Sequence, residues 1–234
     1  ARVPDREQAP AASQHCTAEP CVLEKRLTLD LEVSVVLARD EAGTVRAFPP
    51  GENRHRNGIL DVTIAPALAL ASLSADMQGS AERIAERIAD KLGYVGTLGV
   101  EFFVCGGELF VNEMAPRPHN SGHHTIDACD VSQYEQQVRA LCGLALATPR
   151  QHSAAVMVNV LGELWYEDGK GHGPYREPDW SVLHAVPGLR LHLYAKHHAR
   201  AGRKMGHFVV IGDDPAQVLE RALQARAAIG IRDE

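Results

Sequence analysis

Residues 96–115 read GTLGVEFFVCGGELFVNEMA, two runs rich in β-branched and aromatic residues around Gly106-Gly107, the composition of a β-hairpin. Reading this stretch as two paired strands makes an antiparallel sheet the framework of the chain. It also raises a question of register, because Glu101 lies near the start of the hairpin and Glu113 near its end. A three-residue loop places the two glutamates opposite one another on one side of the ribbon. A two-residue loop sets Glu101 against Asn112 and turns Glu113 to the other side.

The same alternation recurs upstream. Leu31, Val33, Val35 and Leu37 alternate with Glu32 and Ser34, and a turn over Asp40–Gly43 leads to a short strand at Thr44–Phe48, which predicts another hairpin. Residues 77–93, MQGSAERIAERIADKLG, place Ala81, Ile84, Ala85, Ile88 and Leu92 on one helical face, with Ser80 as N-cap and Gly93 as the stop. A short helix is expected over Ser132–Leu141 and a domain boundary in ALATPRQ, residues 145–151. Beyond it AAVMVNVLG, LRLHLYA and MGHFVVIG read as three strands, and Pro215–Ile229 as a closing helix with proline in its first turn. Residues 1–20, rich in Ala, Pro, Gln and Ser without an apolar period, read as an irregular remnant of an upstream subdomain. The expected class is α+β: an antiparallel sheet with helices over 21–148, then a small α/β unit over 149–234.

The chain has 234 residues, 45% of them hydrophobic, enough for a substantial core. The formal charge of −6 argues against a nucleic-acid footprint. No apolar run approaches the ~20 residues that cross a bilayer, and no basic and apolar leader opens the sequence, so a cytoplasmic protein with no membrane partner is expected. Five cysteines without CxxC spacing fit free thiols rather than disulfides or a zinc ribbon.

The densest chemistry is NEMAPRPHNSGHH, residues 112–124, which carries a carboxylate, a guanidinium, three imidazoles and two amides between and beyond two prolines. If Glu101 and Glu113 converge among Phe102, Phe103, Leu109 and Phe110, they repel unless a divalent cation sits between them, and an all-oxygen site of that kind suits Mg²⁺ with nucleotide phosphates. If they do not, they line a solvated sheet face. The Arg117 fork suits a planar oxyanion, and His119 can donate a hydrogen bond or move a proton near neutral pH. His119 and His123 are four apart, the spacing of a zinc pair on a helix, but Pro116 and Pro118 oppose a helix there. A third cluster, YAKHHARAGRKMGH at 194–207, gathers Lys196, Arg200, Arg203 and Lys204 around glycines, either a phosphate cradle or a solvated basic turn.

Taken in order, GVEFF, NEMAPRPHNSGH, the upstream NRHRNGIL and the later KHHARAGRKMGH resemble the PurK family, ATP-dependent synthetases of N5-carboxyaminoimidazole ribonucleotide in the ATP-grasp superfamily, from about Val22 to Gly230. The resemblance implies ATP and Mg²⁺ as cofactors, bicarbonate and aminoimidazole ribonucleotide as substrates, and a homodimer. Glu24, Lys25, Arg26 and Leu27 would form the hinge strand beside adenine, Glu32 would bind the ribose and His55 would approach the nucleotide. Glu101 and Glu113 would be the Mg²⁺ ligands with Asn112 alongside, which favours the odd-loop register. Arg117 and His119 would hold bicarbonate and carboxyphosphate; Asn120 and Ser121 would border the aminoimidazole ribonucleotide; Lys196, Arg203 and Lys204 would grip its 5′-phosphate.

The family's N-terminal domain and its glycine-rich phosphate loop have no counterpart in these residues, so the chain is expected to be part of a longer protein or to work with another chain. Two further readings stay open. One is a non-catalytic ATP-grasp remnant acting as a nucleotide-binding or assembly module; the other is a metal hydrolase built on His119 and His123.

Overall fold

The computed structural model describes residues 24–73 and 76–232. These form a nine-stranded antiparallel sheet from β1 (Leu31–Arg39), β2 (Val45–Ala47), β3 (Gly51–Arg56), β4 (Ile59–Ala65), β5 (Gly96–Cys105), β6 (Glu108–Ala115), β7 (Ala154–Leu161), β8 (Leu189–Leu193) and β9 (Lys204–Gly212). The order is β6-β5-β1-β3-β4-β7-β9-β8, with β2 added beside β1. Around the sheet lie α1 (Leu68–Leu73), α2 (Met77–Leu92), α3 (Thr125–Ala128), α4 (Gln133–Leu141), α5 (Ser181–His184) and α6 (Pro215–Ala228). Pairing of β4 with β7 carries one hydrogen-bonded sheet across the expected unit boundary.

Alternation sets the faces. Val33, Val35 and Leu37 of β1 and Leu98, Val100, Phe102 and Val104 of β5 bury one side, because successive strand residues point oppositely. Onto it packs α2, whose buried residues are Met77, Ala81, Ala85 and Ala89; an alanine face lets the helix backbone approach the sheet. Asp76, not Ser80, precedes this helix, and Leu92 is exposed. The apolar stripe therefore runs through the alanines and stops one turn earlier than the sequence pattern implied. Gly93, at φ 58, ends the helix as expected, its N–H returned to the last turn.

β7 is buried along all eight residues, which accounts for an apolar run interrupted only by Asn159. One face meets α6 through Val218, Ala222 and Ala225; the other holds Met157 and Ala155 against Leu60 and Ala128. The Asp214 carboxylate accepts from the N–H groups of Ala216 and Gln217 and caps α6 one residue before its proline. The hairpin of β3 and β4 is absent from the sequence reading. Its Asn57-Gly58 turn has φ of 53 and 75, the doubly left-handed turn for which Asn-Gly is the strongest short-range signal. No helix among the described residues is long and apolar enough to cross a membrane.

The loop after β6 is seated by amides. Asn120 and Asn159 of β7 exchange two hydrogen bonds (3.0 and 2.6 Å), and the Asn159 amide also donates to Leu60 O at 2.7 Å. Both are buried, so removing one strands the other. Asn159→Leu should cost about 1–3 kcal/mol for each amide group left unpaired. Urea denaturation would read this as a lowered midpoint with an unchanged slope.

Candidate functional site

β5 and β6 are joined by the two residues Gly106 and Gly107, both at positive φ, with Cys105 opposite Glu108. Carried on regularly, that short turn would set Glu101 against Asn112, the register expected to separate the carboxylates. The ladder instead shifts between Glu101 and Phe102: Phe102 pairs with Val111, and Glu101 with Glu113. Asn112 is the extra residue of a β-bulge. The carboxylates meet as the three-residue loop would have had them, but the device is a bulge and the odd loop is absent.

They face a cleft of about 690 Å³. Asn112, Glu113, Arg117 and His119 line it from β6 and its following loop, Glu32 and His55 from β1 and β3, and Lys196 and Lys204 from the β8–β9 hairpin, with Leu29, Ile59, Leu60 and Phe103 as apolar wall. Glu101, 8% exposed, has its pKa raised by burial and by the Glu113 charge, against the opposing pull of His55. The Asn112 amide reaches it only at 3.5 Å. Burial lowers the pKa of Lys204, and Glu101 resists that shift. His55 Nδ1 lies 2.6 Å from Glu32 Oε2; that carboxylate raises its pKa, and burial opposes it.

Glu101, Glu113 and His119 each offer a ligand atom, all within 4.8 Å of one another. A half-buried pair of carboxylates short of donors fits a hard divalent cation; the imidazole suits Mg²⁺ less well than the oxygens do. The zinc pair of His119 and His123 does not assemble. His123 Nδ1 is 3.1 Å from both Gln133 Nε2 and Tyr134 Oη, and its ring packs 4.7 Å from that of His207.

Nor is His119 a group that changes charge near neutral pH. Burial foremost, then the positive charges of Arg117 and Lys204, lower its pKa to about 4. Its Nδ1 lies 2.9 Å from Ser121 Oγ and its Nε2 3.6 Å from Glu101 Oε1. Arg117 is exposed, its guanidinium donating to Pro118 O at 3.1 Å. Lys196 Nζ donates to Lys204 O at 2.5 Å and lies 5.2 Å from the centre of the Tyr194 ring.

Several expected residues stand elsewhere. Asn120 and Ser121 are buried behind the cleft wall, held by Asn159 and His119. The Arg203 guanidinium donates to His198 O at 2.7 Å and lies outside the cleft lining. Glu24, Lys25, Arg26 and Leu27 are in no strand: β1 begins at Leu31, and the ladder with β5 closes with Asp30 N–H to Val104 O, so nothing among the described residues pairs with 24–29. Sequence reasoning named Phe103 but missed the rest of the apolar wall and the buried glutamines of α4. The first was accessible through the Asn-Gly turn that leads into Ile59 and Leu60; no signal marked the second.

The ATP-grasp domain family matches residues 1–134, which sets the class. The family of the phosphoribosylaminoimidazole carboxylase C-terminal domain matches residues 155–221. N5-carboxyaminoimidazole ribonucleotide synthase of Bacillus subtilis is 41% identical over 202 residues, 86% of this chain and 48% of that protein. The N5-carboxyaminoimidazole ribonucleotide synthetase structure from Thermus thermophilus superposes with a TM-score of 0.84 at 36% identity, covering 96% of this chain and 57% of that one. The Staphylococcus aureus N5-carboxyaminoimidazole synthetase structure complexed with ADP gives 0.79 at 31%, covering 97% and 58%. The chain belongs to the ATP-grasp domain family, and over most of its length it is similar to the PurK family, the N5-carboxyaminoimidazole ribonucleotide synthases. It spans about half the length of the relatives it matches.

Burial also lowers the pKa of His123 to about 3 and of His124 to about 4, from 6.5, and that of His207 to about 2. Groups whose folded pKa lies below the unfolded value bind protons more tightly in the unfolded chain, so their contribution is complete above pH 6.5 and shrinks as pH falls toward the folded values. Urea unfolding from pH 7.5 to 4.5 should show stability dropping below pH 6.5. His207→Phe should flatten that slope, and an unchanged slope would contradict the neutral-imidazole assignment.

Proposed function

We propose that this chain supplies the metal-, bicarbonate- and phosphate-binding half of an ATP- and bicarbonate-dependent carboxylase of 5-aminoimidazole ribonucleotide, whose product is the one its relatives are named for. The observation that carries the reading is the convergence of Glu101 and Glu113, through the Asn112 bulge, on a cleft shared with Arg117, His119, Lys196 and Lys204. Homodimer formation and a cytoplasmic location belong to the same reading, as does a division between a nucleotide-handling unit ending near 145–151 and a C-terminal unit.

A bicarbonate oxygen attacks the γ-phosphorus of ATP, ADP leaves, and carboxyphosphate forms. The exocyclic amine of the aminoimidazole then either attacks its carbon and expels phosphate, or captures the CO₂ left once phosphate has departed; on both routes the amine gives up one proton, to phosphate or to water, as the carbamate forms. Glu101 and Glu113 would hold Mg²⁺, which when bound would neutralise charge on the phosphates. Arg117 grips the planar bicarbonate with two parallel donors. His119, neutral at pH 7, contributes a hydrogen bond of defined direction and no charge. Lys196 and Lys204 draw the 5′-phosphate, while Arg203, held at His198 O, takes part only if it turns inward. Glu32 and His55 face the nucleotide ribose. Carboxyphosphate hydrolyses readily, so holding the amine against it supplies up to ~7–11 kcal/mol through orientation.

The test is ADP release with bicarbonate and aminoimidazole ribonucleotide, run on this chain alone and on a fusion carrying the N-terminal half of the Bacillus subtilis relative. Release in the fusion that requires both substrates supports the reading; release indifferent to the ribonucleotide overturns it. In that fusion Arg117→Ala should abolish carboxylation and leave ADP affinity, by calorimetry, within a small factor of the parent. Parallel loss of both would remove Arg117 from the bicarbonate.

A further inference from the structure

We infer that Gln133, a residue outside the cleft, is a positioning residue that fixes the His119 imidazole against Glu101. The inference rests on the proposed reading of the cleft as a divalent-cation and oxyanion site. Pro116 and Pro118 bracket Arg117 and leave the loop without the N–H groups that would continue a ladder. At His119 a side chain takes over that role: Gln133 Oε1 accepts from His119 N–H at 2.8 Å, and Gln133 Nε2 donates to His119 O at 2.7 Å. One primary amide thus binds both backbone groups of one residue, as a neighbouring strand would, and the two contacts fix which end of the amide is oxygen.

Gln133 is itself held on several sides. It is fully buried, its own N–H donates to Thr125 Oγ1 at 3.0 Å, and its Nε2 also meets His123 Nδ1 at 3.1 Å. Gly122 gives it room, since a Cβ there would lie 2.6 Å from Gln133 Oε1. Below, the His119 side chain rests on bare backbone, since a Cβ at Gly99 would come within 2.7 Å of His119 Cβ. Backbone clamp, glycine floor and the Ser121 hydroxyl on Nδ1 together leave the ring one direction for Nε2, toward Glu101.

α4 contains its own control. Gln136 is also fully buried and makes the same two-point clamp, on Ala147, donating to its O at 2.7 Å and accepting from its N–H at 3.1 Å, away from the cleft lining. Gln133→Met and Gln136→Met remove the same two-point clamp at similar volume, Gln133→Met giving up the His123 contact as well, so a purely structural role predicts losses of stability in both and no selective effect on metal binding or on the His119 ring.

The experiment measures Mn²⁺ binding by calorimetry and the tautomer of the His119 ring by ¹⁵N NMR, on the full chain and both variants, with thermal unfolding as the common reference. Gln133→Met should weaken Mn²⁺ binding, by no more than the ~10–100-fold that loss of a direct partner of a metal ligand costs, since it acts on Glu101 through His119, and convert a single His119 tautomer into a mixture. Gln136→Met should lower the unfolding temperature and change neither. If Gln133→Met does not fold, Gln133→Glu, which keeps the acceptor for His119 N–H and loses the donors, is read in the same way. Equal effects of the two methionine variants, or an unaltered His119 ring in the Gln133 variant, would overturn the inference. If the unsubstituted chain binds no Mn²⁺, the divalent-cation reading fails separately, and the ring spectra alone decide the role of Gln133.

Discussion

The site is organised around a repulsion. Two carboxylates brought together on one face of a sheet repel one another, and one of them, Glu101, is also largely removed from water, so its pKa rises. A β-bulge at Asn112 imposes this arrangement; a regular strand would have relieved it by turning Glu113 away. The positive groups nearby follow from that choice. Lys204 from β9, His55 from β3 and Arg117 from the loop converge from three directions on the pair, and each couples electrostatically to Glu101 or to its neighbours.

Convergence from three directions needs a rigid frame, and the sheet provides it. The carboxylates sit on β5 and β6 at one end of the strand order, the lysines at or beside β9 near the other, with β1, β3, β4 and β7 hydrogen-bonded between. A cleft built across two separately packed cores would ordinarily open and close with the domain interface. Here the β4–β7 ladder removes much of that freedom from the floor, leaving loops as the adjustable parts.

The residues with strong periodic signals were legible in the sequence. Alternation in Leu31–Leu37 and the apolar run of β7 gave strands where strands are, and Ser132 and Pro215 marked helix starts correctly because capping chemistry is local. The register of the β5–β6 hairpin was not legible, because loop length alone cannot report a bulge: Gly106-Gly107 specified the turn, and the shift five residues later depends on what Glu101 and Asn112 pack against. The PRPH stretch announced functional residues through its composition, yet it could not show that Asn120 and Ser121 serve the loop's own architecture, since their partners Asn159 and His119 are settled only in three dimensions. The charge state of His119 was hidden for a related reason: a histidine beside an arginine in a loop looks solvated until burial is known.

Burial separates two kinds of imidazole in and behind the cleft. His55, open to the cleft and touching Glu32, is pushed toward the charged form, whereas His119, His123, His124 and His207 are held neutral by desolvation. A site already containing Arg117, Lys196 and Lys204 gains little from another positive charge, and a charged imidazole 3.6 Å from Glu101 would compete with a divalent cation for that carboxylate. In the proposed reading, keeping His119 neutral leaves the acidic pair to the metal and the oxyanion to the guanidinium. The buried amides behind the loop then acquire a definite purpose: a neutral ring is guided by no strong field, so its direction has to come from hydrogen bonds to its backbone and to Nδ1.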